Sequence, residues 1–248
     1  LDEYSDVIRP EPGRYNGHYG YMNNRINFAS RPAPNKKIYA QNLTSEMKKK
    51  LGDKMDQLLE WGVLTYPEHA GVRVEFLCPS MIVPKIDPDT WRLITDFSAL
   101  NKFIINPQGI SPTIQEAKDF LARAKYVINL DLSNWFYQSG MDRQDIQFLG
   151  TVHPYKGVLV YSCEPQGLRG SPEHSYEKLT RIYGDLLRDN KATRMANGIH
   201  IGAQTIEEAK ETLKEVLNRA RLCGLTFKPG KIEICPVKTV LFGWQLEN

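Results

Sequence analysis

The 248-residue chain contains no apolar run approaching the roughly 18 residues that a membrane-spanning helix requires. Its first residues, LDEYSD, are acidic where a secretory leader is basic and then apolar, and no initiating methionine precedes them. No membrane partner is expected, and the reading is of an intracellular chain, cytoplasmic or nuclear, representing part of something longer or a processed product. Cysteine is scarce: Cys78, Cys163, Cys223 and Cys235 lie far apart with no C-x-x-C spacing, so neither a zinc site nor a disulfide framework is expected. Excess charge of one sign is nearly absent, with 32 Lys and Arg against 29 Asp and Glu. A net charge of +3 permits nucleic acid as a partner without demanding it. Repeats and low-complexity tracts are lacking too. What is present, 41% hydrophobic and 25% charged residues, can bury a substantial core in one large domain or two lobes.

Local signals place the elements. Residues 1–35, rich in Pro, Gly, Tyr and Asn, read as an extended arm or linker. From Thr44 to Trp61, Met47, Leu51, Met55, Leu58 and Leu59 fall at helical spacing, and Lys48, Lys49 and Lys50 read as the solvated face. Thr113 with Glu116, and Thr205 with Glu208, have the spacing of capping boxes that open helices. Ser171-Pro172-Glu173 opens another through Tyr176, Leu179, Ile182 and Leu186. YVINLDL, from Tyr126 to Leu132, is an apolar strand with one acid, Asp131, near its end. TRMANGIHIGAQ, from Thr193 to Gln204, carries Asn197-Gly198, a strong hairpin signal because both residues tolerate positive φ. The short β segments LTF, KIEI and KTVLFGWQL close the chain. This order predicts an α+β fold, an antiparallel sheet backed by helices.

A lone acid ending an apolar strand is either a paired structural carboxylate or a metal ligand. Its context favours the second. NLDLSNWFYQ, Asn129 to Gln138, resembles the strand motif of reverse transcriptases: an Asp, an apolar residue, an aromatic five places after the Asp, then a Gln. MIVPKIDPDTWRLITDFSALNK resembles the fingers hairpin of retroviral and LTR-retrotransposon enzymes, and EPQGLRGSP resembles the loop opening the long palm helix. GLTFKPGKIEI and VLFGWQL are similar to late palm strands and the primer-grip hairpin. The resemblance runs from about Ile26 to the end. It implies an arm over 1–25, fingers over 26–104 and 141–166, and palm over 105–140 and 167–248, without thumb or RNase H. By position it implies that Lys85 and Arg92 meet nucleotide phosphates and that Phe136 is the gate against a ribose 2′-OH. Gln166 and Gly167 would contact nucleotide and template, Lys231 would belong to the nucleic-acid-binding surface, and Asp131 would be the first catalytic carboxylate.

Two departures stand out. Ser98 replaces a family arginine, and Asn197-Gly198 occupies the Asp-Asp turn that would join Asp131 in holding two Mg²⁺ ions. His200 shares the strand but offers imidazole, a poor ligand for Mg²⁺; Glu207 and Glu208 read as caps of the next helix. The expectation is a pseudoenzyme of retroelement descent, with the ancestral Mg²⁺ pair lost and no other cofactor. It would act as a scaffold for protein partners, favoured by the low net charge, or for an RNA or DNA duplex. The alternative is an RNA-directed DNA polymerase whose turn was altered in this copy.

Overall fold

The computed structural model describes residues 1–22, 24–37, 43–85, 90–105, 114–195, 197–235, 238–241 and 244–247. In chain order these form α1 (Ser45–Glu60), β1 (Leu64–Thr65), α2 (Pro67–Ala70), β2 (Ser80–Pro84), β3 (Trp91–Thr95), α3 (Ser98–Asn101), α4 (Ile114–Ala122) and β4 (Tyr126–Asp131). There follow β5 (Gly150–His153), β6 (Gly157–Tyr161), α5 (Ser171–Arg188), β7 (Ala192–Met195), β8 (Gly198–Ala203), α6 (Ile206–Cys223), β9 (Glu233–Ile234), β10 (Lys238–Leu241) and β11 (Trp244–Glu247). The fold is α+β with antiparallel pairing in every sheet. Two compact units share the chain: one of Leu1–Met22, Gln108–Gln138 and Pro172–Asn248, the other of Asn23–Pro107 and Ser139–Ser171.

The first unit is built on a four-stranded sheet of order β7-β8-β4-β9. One face carries Ile128 and Leu130 from β4 with Ile199 and Ile201 from β8, and buries them against Leu179, Ile182 and Tyr183 of α5 and Val216, Leu217 and Ala220 of α6. Helix α6 begins as its local sequence dictates: Thr205 accepts from the Glu208 amide while the Glu208 carboxylate accepts from the Thr205 amide, a reciprocal capping box. It stops at Gly224, which takes the left-handed conformation at φ 75°.

The amino-terminal segment, expected as an extended arm, opens with a 3₁₀ turn over Asp2–Tyr4 and then runs along the first unit, docked to it. Phe227 N–H donates to the Val7 carbonyl (2.8 Å), Arg9 N–H to the Phe227 carbonyl (3.0 Å), and Arg14 N–H to the Gly224 carbonyl (2.8 Å). Tyr4, Val7 and Met22 join the buried core of this unit. Backbone groups left unpaired in an extended strand must find partners elsewhere, and these find them on the segment after α6.

The second unit contains a three-stranded sheet of order β1-β6-β5 and the two-stranded ribbon β2-β3. Helix α1 is capped by Thr44, which accepts from the Met47 amide, and it buries Leu51, Met55 and Leu58. Of its lysine run, Lys48 and Lys49 are exposed. Lys50 is more than solvated surface: its ammonium lies 4.3 Å from the Trp91 ring centroid and 2.8 Å from Glu46. Buried His153 ties α1 to the β5–β6 hairpin, with Nε2 3.1 Å from Asp56 Oδ1 and Nδ1 accepting from the Tyr155 and Lys156 amides. A string of buried hydroxyls joins the two sheets. Ser80 Oγ is 2.7 Å from both Thr95 Oγ1 and Thr151 Oγ1, and Thr95 Oγ1 is 2.6 Å from Tyr161 Oη.

Cys78, Cys163 and Cys223 are buried free thiols and Cys235 is exposed. Burial pushes the Cys78 and Cys223 thiols up to about 12. Among the described residues no helix is long and apolar enough to cross a membrane. Thr113, half of the capping-box signal for α4, lies outside the described residues.

Candidate functional site

Because side chains alternate along a strand, burying Ile128 and Leu130 turns Asn129 and Asp131 to the opposite face of the first unit's sheet. Register then decides what they meet: Asp131 faces Gly198 and Asn129 faces His200 across the β4–β8 ladder. Met195 closes the β7–β8 pairing opposite Gly198. Helix α4 covers part of this face, where Ala117 and Leu121 pack with Val127 and Met195. Strand pairing therefore brings together Asp131, Asn197 and Gly198.

The turn differs by one residue from the sequence expectation. Gly198 is the first residue of β8, paired on both sides, and its φ is not positive. Asn197 lies in the turn, and its carbonyl accepts from the Leu132 amide (3.0 Å). Ladder pairing to β4 and β7 fixes the backbone at Gly198.

Asp131 is half-buried, and its backbone carbonyl accepts from the Lys228 amide (2.8 Å). Burial raises its carboxyl above the usual range, with the charges of Lys231 and Lys228 pulling the other way. Beside it a polar chain runs from exposed Glu233 inward to buried Asn129 and His200. Glu233 accepts from Asn129 Nδ2 (2.8 Å), and Asn129 Oδ1 lies 2.9 Å from His200 Nδ1. His200 is 7% exposed, and burial lowers its ring to about 4, partly offset by Glu233. The sequence marked His200 as sharing the strand; Asn129 and Glu233 were missed, although Asn129 stands two places before Asp131 and so had to share its face.

The remaining positions fall in both units. In the first, Phe136 is partly buried in the 3₁₀ turn Trp135–Gln138 that follows β4. Gln138 anchors this turn, donating to the Ser133 and Thr226 carbonyls (2.7 and 2.8 Å) and accepting from the Thr226 amide (2.8 Å). Lys231 is exposed in the 3₁₀ turn Pro229–Lys231. In the second unit Lys85 is exposed just beyond β2, its amide donating to the Thr90 carbonyl (2.9 Å), and exposed Arg92 on β3 faces Val83. Residues 86–89 between them lie outside the described residues. Gln166 and Gly167 are exposed; Gly167 has φ 93° and its carbonyl accepts from Asn101 Nδ2 (3.0 Å). Ser98, at the start of α3, donates its amide to Asp96 Oδ1 (2.9 Å). Among the described residues no three His, Cys, Asp or Glu side chains converge as a metal site.

Residues 83–246 match the family described as reverse transcriptase (RNA-dependent DNA polymerase). The chain is 29% identical over 157 residues to the Retrovirus-related Pol polyprotein from transposon 412 of Drosophila melanogaster, a match covering 62% of this chain and 12% of that protein. In fold it is similar to the foamy viral protease-reverse transcriptase solved in complex with dsDNA, with TM-score 0.80 and 20% identity over 100% of this chain and 49% of the other. The same viral protein in complex with RNA/DNA hybrid gives TM-score 0.78 and 21% identity, over 100% of this chain and 32% of the other. The chain thus spans well under two thirds of each relative, and its α+β architecture is that of fingers and palm.

Proposed function

The chain belongs to the reverse transcriptase (RNA-dependent DNA polymerase) family, related to retroviral and retrotransposon Pol proteins, and from that premise we propose that it is a polymerase-silent member that binds nucleic-acid duplex. One observation carries the silence: of the three positions gathered at the β4–β8 ladder, only Asp131 bears a carboxylate. Phosphoryl transfer by two Mg²⁺ ions about 3.5–4 Å apart needs carboxylates that supply both charge and oxygen atoms. The residues present do not fit such a pair. Asn197 offers a neutral amide, Gly198 offers no side chain, and imidazole, the nearby alternative at His200, suits hard Mg²⁺ poorly. At about 1.4 kcal/mol per tenfold in rate, losing two of three carboxylates slows addition by at least about a thousandfold.

The duplex reading is supported by charge and by likeness. Two lysines, Lys228 and Lys231, bear on one acid, Asp131, so the face is not a cluster of like negative charge that would need metal ions before it met phosphate. Exposed Lys85 and Arg92 supply further cations suited to phosphate. Two similar foamy viral structures hold dsDNA or an RNA/DNA hybrid.

Primer extension and binding test the two halves separately. The unaltered chain is expected to add no nucleotide to a primer-template with Mg²⁺ or Mn²⁺; extension that disappears in Asp131→Ala overturns the silent reading. In chelator, duplex affinity is expected to fall steeply with salt, as phosphate contacts release counterions, and to weaken in Arg92→Ala. A folded chain that ignores duplex at low salt overturns the binding half and turns attention to a protein partner.

A further inference from the structure

Position 198 lacks a side chain, and the space such a side chain would enter is already taken. An ideal Cβ on Gly198 lies 2.9 Å from His200 Nε2, 3.3 Å from its Cε1 and 3.3 Å from the Leu130 carbonyl oxygen. The first of these is closer than real Cβ atoms come to any heavy atom, so the ring or the strand would have to shift.

The ring has little freedom to do so. It is 7% exposed, its backbone is paired to Asn129 on one side and Thr193 on the other, and its Nδ1 is tied to Asn129. Chemistry also fixes the proton. A carboxylate only accepts, so Asn129 turns its amide NH₂ toward Glu233 and leaves its oxygen facing His200. Nδ1 must then donate, and a neutral ring is left with a bare lone pair on Nε2, the atom nearest position 198. A carboxylate added there would meet a steric clash and, behind it, an acceptor that cannot bond to it.

We infer that His200, oriented by Asn129 and Glu233, is a blocking residue that has taken the place of the 198 side chain, so that glycine at 198 and histidine at 200 depend on each other. The steric coupling stands by itself; its consequence for metal binding rests on the polymerase-silent reading. Restoring aspartates at 197 and 198 does not reopen the face to divalent metal while the imidazole remains.

A thermal-melting cycle tests the coupling. Gly198→Ala is expected to lower the melting temperature by several degrees beside His200 and by less than half as much when combined with His200→Ala. Equal losses in the two backgrounds would overturn the coupling without touching the silent reading. In parallel, Asn197→Asp with Gly198→Asp is expected to gain no more thermal stability from Mg²⁺ than the parent, whereas adding His200→Ala yields a clear Mg²⁺-dependent rise. A full Mg²⁺ response with His200 in place overturns the block. Primer extension by the unaltered chain overturns the silent reading and leaves the cycle standing.

Discussion

A histidine held neutral inside a sheet face titrates against the fold. Burial lowers the His200 ring from 6.5 to about 4, so between those values the unfolded chain binds more protons than the folded one and stability rises with pH. The contribution is full above about pH 6.5 and lost as pH falls toward about 4, on the order of 3 kcal/mol for a ring this buried. Asp131 acts in the opposite sense. Its raised carboxyl is penalised when ionised, and that penalty is relieved as pH falls through its folded pKa. The urea midpoint is therefore expected to drop between about pH 7 and about pH 4.5, and His200→Leu to flatten that slope. At this scale the sequence was partly legible: a period of two puts Gly198 and His200 on one face without further knowledge. Asn129 and Glu233 escaped because they lie 104 positions apart, and nothing local announces a register between distant strands.

Elements announce themselves through period or through their ends. Helix α1 was readable from the helical spacing of its apolar residues and α6 from Thr205 and Glu208, whose capping is chemistry within one turn; Thr205 and Glu208 make the bonds their spacing implies, and Thr44 caps α1 as well. Thr205→Ala is expected to cost about 1 kcal/mol, seen as a lower urea midpoint with an unchanged slope. At the other end of α6 the stakes are higher. Gly224 combines left-handed backbone with a carbonyl neighbour: its ideal Cβ lies 2.5 Å from the Arg14 carbonyl oxygen. Gly224→Ala should cost at least about 2 kcal/mol, more than the cap, and should speed amide exchange at Arg14 and Asn16, which donate to the carbonyls of Gly224 and Cys223. The docking of that amino-terminal segment was not legible. An extended chain shows no period, and its partners, Phe227, Gly224 and Cys223, lie at the far end of the sequence. The Asn-Gly turn was misplaced by one residue for the related reason that Gly198 pairs with β4, a strand distant in sequence.

At the scale of the molecule, the α+β class followed from the order of helical and alternating segments, and family resemblance from ordered motifs. Which elements share a unit is a matter of contacts between distant segments, and no periodicity marks it. The second unit shows what such contacts do. A two-stranded ribbon is marginal alone in water, yet β2-β3 leans on the three-stranded sheet through hydroxyls on Ser80, Thr95, Thr151 and Tyr161. Three links consume three of the four hydroxyl protons, so three of the four rotors are set by a neighbour and turning any one of them breaks a link. Peeling the ribbon away breaks the Ser80–Thr151 and Thr95–Tyr161 links together. The ribbon and the β5–β6 hairpin should therefore open in one event, with a common opening free energy in native-state amide exchange, and Ser80→Ala should split them into a fast ribbon and a slow hairpin. Two pieces of sheet made by separate stretches of chain would then keep time with each other because a proton cannot be given twice.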